Sequence, residues 1–410
     1  VIAPGTEFEL DVDRVAHGGH CVGRHEGRVV FVRHALPGER VRVQVTDGGD
    51  ESRFLRADAV GVIEPSPDRV TPPCAHAAPG GCGGCDWQHA LLPAQRALKA
   101  SVVREQLTRL AGLDRDVVVE ELAGSPDGLG WRTRVRFAVA SDGSLGFRRH
   151  RSHDIETVAS CPLAHPHVTA SGVTRTTYVG ADEVLVAVAA TPPVPAAGAD
   201  GEPAAVLVRD HEGAIIERRG PERLMNVVDG RVFASAPDGF WQVHPAAAST
   251  LVEAVLSNVE VRAGETVWDL YAGAGLFSAS LARHAGPAGT VIAVEGSAAA
   301  AADARTNLDG VPGVRVERAR VDRWLQGERD RPDVVVLDPP RKGATRAVVG
   351  PVARARPRVV AYVACDPAAL ARDVALFAAA GYELDVLRAF DLFPMTHHVE
   401  CVAILRPTVR

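Results

Sequence analysis

The chain is poor in several residue types: two methionines, four tyrosines and 5% aromatics among 410 residues, with few lysines. Alanine, glycine and arginine take their place, a bias that resembles GC-rich coding and says little about function. No apolar run reaches the length of about 20 residues that spans a bilayer, so no membrane association is expected. Residues 1–14 are acidic and alternating, without a basic start and apolar core, and are not read as a secretion signal. A cytoplasmic protein is the expectation. An overall excess of positive charge is also missing. The net charge of −6 does not mark a nucleic-acid binder, although a local basic stripe counts for more than the total. Structural disulfides are rare in the cytoplasm, so seven cysteines direct attention to metal binding or catalysis.

The length allows two or three domains. Residues 1–63 hold short alternating runs (Phe8–Asp13, Arg28–Arg33, Arg40–Val45) between Gly and Pro turns, the pattern of a small β-barrel. Pro65, Pro67, Pro72 and Pro73 mark a linker. A β-rich central domain is assigned to 64–235, with a helix at 91–113 that can pack on the next domain and an Ala/Pro-rich loop at 187–203. From 236 to 410 strand and helix patterns alternate. Runs at Thr266–Leu270, Thr290–Glu295, Val314–Val316, Asp333–Leu337 and Val359–Val363 predict an α/β domain with a doubly wound parallel sheet.

The turn Asp269-Leu-Tyr-Ala-Gly273-Ala-Gly275 follows the first of these strands. Glycines there let the backbone approach a ligand at a helix N-terminus. Glu295 ends the second strand, where a carboxylate can accept both ribose hydroxyls, and Asp338-Pro-Pro ends the fourth. The Asp-x-x-x-Gly-x-Gly spacing favours S-adenosylmethionine. A nicotinamide fold would explain the turn and Glu295, but not Asp338-Pro-Pro followed by Cys365.

Cys74, Cys82 and Cys85 lie within twelve residues, and Cys161 follows in Ser-Cys-Pro. Four thiolates suit an iron–sulfur cluster or zinc. Arg132, Arg134 and Arg136 alternate with Trp131, Val135 and Phe137, and Arg148 and Arg149 follow a Gly turn. A basic hairpin of this kind is either a solvated sheet face or a phosphate-binding surface. Cys365 falls just past an apolar strand and before a Pro, where the ligand crevice of an open α/β sheet lies. Alone it reads as a core cysteine. Cys401 reads as a strand residue facing away from the site, next to Glu400.

In this order the motifs resemble the RNA uracil-C5 methyltransferases that carry a TRAM domain, over nearly the whole chain. Val15–Arg24 and Ala35–Arg40 are similar to the TRAM signature, and Cys82-Gly-Gly-Cys85-Asp-Trp-Gln-His89 to the family's cluster loop. The resemblance implies a class I (Rossmann-like) methyltransferase domain behind an OB-like TRAM barrel. It implies a 4Fe-4S cluster on Cys74, Cys82, Cys85 and Cys161, and S-adenosylmethionine held by Gln242, Tyr271, Gly273, Gly275, Glu295, Asp322 and Asp338. Cys365 in Cys-x-Pro would be the nucleophile and Glu400 in His-x-Val-Glu the base. The partner would be RNA, ribosomal in preference to transfer RNA, bound by a monomer. His244 and Leu276 depart from the family, which usually has Asn at both places. Two other readings compete. Asp-Pro-Pro also resembles an adenine N-methyltransferase motif, though Arg341 follows in place of an aromatic, and a non-catalytic iron–sulfur RNA-binding protein would need neither Cys365 nor Glu400.

Overall fold

The computed structural model describes residues 2–192, 203–328 and 330–408. Five strands open the chain: β1 (Glu7–Val15), β2 (Cys21–His25), β3 (Arg28–Arg33), β4 (Arg40–Asp47) and β5 (Phe54–Glu64). They close into a barrel in the order β1-β2-β3-β5-β4, antiparallel except for the β3–β5 pair. Inward residues such as Val30, Val32, Val41, Val43 and Leu55 fill its core, the alternation expected of strands with one buried face.

The predicted helix is present as α1 (Leu92–Gln106), continued by a wide turn at Leu107–Ala111. Its Ala100, Val103 and Leu107 belong to the core of the C-terminal domain. The short β6 (Val119–Glu120) also adds to that domain's sheet edge. The segment packs on the C-terminal domain, as its apolar stripe allowed, because that face has its partner there.

The central sheet runs through β7 (Arg134–Val139), β8 (Leu145–Arg148) and β9 (Ile155–Thr157), then, after α2 (Pro166–Ala170), through β10 (Glu183–Val188), β11 (Ala204–Arg209) and β12 (Ile215–Arg219). Its order is β12-β11-β10-β7-β8-β9. The loop expected at 187–203 begins too early: Ala187 and Val188 are buried strand residues paired with β11. Residues 193–202 of that loop lie outside the described residues. A hairpin of β13 (Leu224–Val228) and β14 (Arg231–Ser235) leads on to α3 (Ala247–Val259).

The last unit alternates β15 (Thr266–Leu270), α4 (Leu276–Ala285), β16 (Thr290–Glu295), α5 (Ala298–Asn307), β17 (Val314–Arg318), α6 (Val321–Gly327), β18 (Val334–Leu337), α7 (Arg346–Ala355), β19 (Val359–Ala364) and α8 (Pro367–Ala379). Two long strands, β20 (Tyr382–Phe390) and β21 (Glu400–Pro407), close it. The sheet order is β17-β16-β15-β18-β19-β21-β20-β6. Strands β15 to β19 are parallel, and β21 inserts antiparallel beside β19. The order reverses between β15 and β18, the switch point where such sheets open a crevice at their C-terminal ends.

Candidate active site

The turn after β15 is shaped by its glycines. Gly275 has φ of 87°, and a Cβ there would sit 2.8 Å from Leu308 Cδ1, so α4 begins on a residue that only glycine supplies without strain. Tyr271 also takes a positive φ, 65°. The Gly273 N–H donates to Glu295 Oε2 at 2.9 Å and the Ser297 N–H to Glu295 Oε1 at 2.6 Å, which fixes that carboxylate at the tip of β16. Arg320 donates to Asp322 at the start of α6, with Nη2 2.8 Å from Oδ2. Leu276 packs its side chain toward the core. Gln242 is buried between β14 and α3, without a hydrogen bond to this group among the described residues.

Three carboxylates meet at the ends of neighbouring strands. Burial, and then repulsion from Asp269 and Glu295, raises the Asp338 carboxyl to about 7. Asp269 is raised to about 6 by burial, against the hydroxyl of Ser278 that donates to its Oδ2 at 2.5 Å. Its other oxygen, Oδ1, is buried without a partner. Sequence reasoning quoted Asp269 in the turn motif but did not place it in the site. Negative charges gathered without a cation between them are expensive, and the arrangement suits a positively charged ligand.

Cys365 and Glu400 are brought together by strand register. On β19 and β21, Ala364 pairs with Cys401 and Val363 with Val402. One step further along this ladder sets Cys365 across from Glu400. Glu400 is buried, and its carboxyl is pushed well above the usual range by burial and by Asp338, with Arg341 opposing. The Cys365 thiol is raised to about 12 by burial, then by Glu400 and Asp338, again against Arg341. Cys401 lies in the core on the other face of β21, as expected. Asp366 caps α8 by accepting from the Ala369 N–H at 2.7 Å.

A cavity of about 210 Å³ opens over Cys365, lined also by His17, Gly18, Gly19, Arg341 and His397. Three parts of the chain build it. The barrel loop reaches in through His17, whose Nε2 lies 3.0 Å from Asp366 Oδ2. Trp87 of the cysteine loop donates from its ring N–H to Gly19 O at 3.0 Å. Asp86 accepts from His397, at 3.0 Å from the backbone N–H and 2.7 Å from Nδ1. A Cβ on Gly19 would be 2.6 Å from that of His397, so the barrel loop approaches only as glycine. The Asp86–His397 pair went unnoticed in the sequence, where 311 positions separate its members.

Cys74, Cys82, Cys85 and Cys161 line one cavity and all four are free thiols. Cys82 Sγ accepts from the Gly84 N–H at 3.4 Å, and Cys85 Sγ from Gln88 Nε2 at 3.1 Å. Burial, opposed by the Gln88 donor and aided by Cys161 and Cys82, raises the Cys85 thiol to about 12. Among the described residues no group of His, Cys, Asp or Glu forms a site for a metal ion.

The arginine hairpin is not the open basic face that alternation suggested. Arg132 precedes β7 and donates from Nε to the Arg134 carbonyl at 3.2 Å. Arg134 is turned inward to Ser235 Oγ at 3.0 Å, and burial lowers it to about 10. Arg136 is ion-paired with Glu183 at 2.7 Å and Arg149 with Glu156 at 2.9 Å. Arg148 is exposed, its Nη1 3.4 Å from the His153 carbonyl. Carboxylates thus pair with Arg136 and Arg149, and Ser235 of β14 engages Arg134, whose Nε and Nη1 are buried without a partner.

Comparison with known proteins agrees with the fold. Residues 3–60 match the TRAM domain, and residues 221–408 match the tRNA (uracil-5-)-methyltransferase family. An RNA methyltransferase of Streptomyces avermitilis is 46% identical, with 99% of each chain covered. The 23S rRNA (uracil(1939)-C(5))-methyltransferase RlmD of Shewanella amazonensis is 34% identical, covering 97% of this chain and 95% of its own. The chain belongs to the RNA uracil-C5 methyltransferase family. Its fold is also that of the Pyrococcus abyssi tRNA (uracil-54, C5)-methyltransferase, solved with S-adenosyl-L-homocysteine, at a TM-score of 0.70 and 23% identity over 97% of this chain and 100% of that one.

Proposed function

We propose that the protein methylates C5 of one uridine in large-subunit ribosomal RNA, with S-adenosylmethionine as methyl donor and Cys365 as nucleophile. The register that sets Cys365 across from Glu400, beside the carboxylates of Asp338 and Asp269, carries this reading. The acidic strand ends suit the donor's sulfonium and ammonium charges. Glu295 is already fixed for a ribose, with Tyr271 and Asp322 beside the same crevice and Gln242 assigned to it by the family motif. Bound there, S-adenosylmethionine would supply the methyl group and a positive charge next to Asp338.

The chain's own groups do the rest. Cys365 Sγ forms a bond to ring C6, and the C5=C6 pair moves to make an enolate whose C5 is nucleophilic. After C5 is methylated, Glu400 takes the C5 proton, the C5=C6 bond reforms and the Sγ–C6 bond breaks. Glu400 has to be ionised to accept that proton; its raised proton affinity makes it a strong acceptor once it is, and the donor's positive charge, with Arg341, would favour the ionised form. The Cys365 thiol holds its proton at neutral pH in the free protein, so the thiolate must form as positive charge enters the site. Arg341, on the cavity wall, is the resident cation that favours it. A uridine in folded RNA has to be unstacked to reach this cavity.

The four cysteines line one cavity, and N–H donors reach two of the sulfurs, which supports a shared group held there. A 4Fe-4S cluster on Cys74, Cys82, Cys85 and Cys161 would brace the loop whose Asp86 and Trp87 hold His397 and Gly19 in the wall of the cavity. Equal iron and sulfide in anaerobically purified protein, lost on Cys82→Ser, is the expected result, and stoichiometric zinc would overturn it. Ribosomal RNA is favoured by the full-length likeness to RlmD proteins. Mapping 5-methyluridine in rRNA and tRNA from a strain lacking the gene tests the target. Loss from tRNA alone would exclude the ribosomal assignment.

A further inference from the structure

With Arg136 and Arg149 of the central hairpin ion-paired and Arg134 buried, an aromatic and cationic surface on the barrel stands out. The parallel pairing of β3 and β5 sets Phe31 beside Arg56 and Val29 beside Phe54. The Arg56 guanidinium lies 5.6 Å from the Phe31 ring centre and 5.4 Å from that of Phe54. The two rings meet edge to face at 5.6 Å. The strip continues from Phe31 to His20 at 6.5 Å, and from His20 to His150 at 5.6 Å. His20 follows Gly18 and Gly19, which line the Cys365 cavity. The strip thus runs from the outside of the barrel to the mouth of the catalytic pocket.

Its features differ from those of a core cluster. Phe54 is 44% exposed. Arg56 has only a loose carboxylate neighbour, Asp47 at 3.9 Å, and Arg151 is exposed without an ion pair among the described residues. The His150 Nε2 is buried and has no hydrogen-bond partner. Burial and then Arg33 hold His20 and His150 at about 4, so both present neutral rings at physiological pH. Flat neutral rings interleaved with unneutralised arginines are what unpaired nucleotides bind: bases stack on the rings and phosphates meet the cations. A protein partner would call for a larger apolar patch, and an A-form duplex would hide its bases from these rings.

We propose that Phe54, Arg56, Phe31, His20, His150 and Arg151 form a stacking platform for unpaired nucleotides that flank the target uridine. The substrate is then an opened or single-stranded segment, led along the barrel into the cavity. This rests on the reading of the protein as an RNA methyltransferase, and it adds which face holds the RNA and in what form.

The full-length protein with a labelled unstructured RNA of about 12 nucleotides, a length within the range such grooves cover, tests it. Phe54→Ala should raise Kd by roughly 5- to 150-fold, the range of one lost base stack, with no change in the salt dependence. Phe54→Trp should restore binding and Phe54→Leu should not. Arg56→Ala should weaken binding and lower the slope of log K against log salt by about 0.7, the value for one phosphate on a single strand. In methyl transfer, the Phe54 effect should appear in KM for RNA. Equal binding by Phe54→Ala and wild type, or binding of the same sequence as a duplex at least as tightly as the single strand, would overturn the platform. Wild-type protein that methylates no RNA would instead overturn the function on which it rests.

Discussion

The central sheet and the catalytic sheet treat their charged side chains in opposite ways. In the central sheet several are matched, Arg136 with Glu183, Arg149 with Glu156 and Arg209 with Asp238, while Arg134 is buried against Ser235. At the strand ends of the catalytic sheet, Glu295 raises the proton affinity of Asp269, both raise that of Asp338, and Asp338 raises that of Glu400, where Arg341 is the opposing cation. Matched charges are what a folded surface settles into when nothing else is to be bound. Like charges kept together in a buried crevice cost stability, and the cost is recovered only when a ligand of opposite sign arrives. The difference separates the part of the molecule that holds shape from the part prepared for chemistry.

The sharpest break of this contrast is Cys365→Ala. It removes the nucleophile without touching the carboxylates, so RNA binding should persist while methyl transfer and the covalent adduct with 5-fluorouridine RNA both vanish. Cys401→Ala, one residue from Glu400 but facing the core, should retain both. Transfer by the Cys365 variant at the wild-type rate would restore the adenine N-methyltransferase reading. Next comes Glu400→Gln, expected to slow turnover by about 10²- to 10⁴-fold, the usual worth of a general base. Because the C5 proton then has no acceptor, the adduct should accumulate on ordinary uridine RNA, which denaturing gels would show as a slow band. Slow turnover without an accumulated adduct would place Glu400 before the methyl transfer.

The catalytic half was legible because four of its five parallel strands, β15, β16, β18 and β19, are largely buried on both faces and read as short apolar runs. That Cys74, Cys82, Cys85 and Cys161 would gather, and that Cys365 would lie at a strand end near Glu400, was legible from spacing and order. What stayed hidden was non-local. The alternation around Arg132–Arg136 predicted a free cationic face, but alternation says nothing of the hairpin and the carboxylates that pair with it. Phe31 and Arg56 are unremarkable in two separate strands and meet only because β3 and β5 run parallel. Helix α1 shows its apolar stripe in the sequence, yet which domain receives the stripe depends on the final packing.

A smaller effect tests the cost of the acidic crevice. The Asp338 carboxyl is raised in the folded state, so folding binds its proton more tightly. That contribution favours the folded state below about pH 4 and is lost as pH rises toward about 7, where the folded form finally ionises. Asp338→Asn, which stays neutral, should therefore raise the melting temperature at pH 8 relative to wild type, give no such gain at pH 4, and abolish cofactor binding. S-adenosylmethionine should raise the melting temperature of the wild type at pH 8 and not that of the variant. An equal shift in both would show that Asp338 is not paired with the ligand's charge.

The smallest effect belongs to the matched side of the comparison. Arg136→Ala removes an exposed ion pair with Glu183, an interaction worth about 0–1 kcal/mol. Stability should move by no more than that, and RNA affinity should change little, because the guanidinium is already engaged. Arg56→Ala, on the barrel, removes a less exposed cation whose carboxylate neighbour is only a loose one at 3.9 Å, and should act on RNA affinity far more strongly. Measuring the two variants side by side in the same salt series separates a paired arginine from a waiting one. Should Arg136→Ala weaken RNA binding as much as Arg56→Ala, the Glu183 pair must open on the RNA, and the central sheet would join the catalytic side of the contrast.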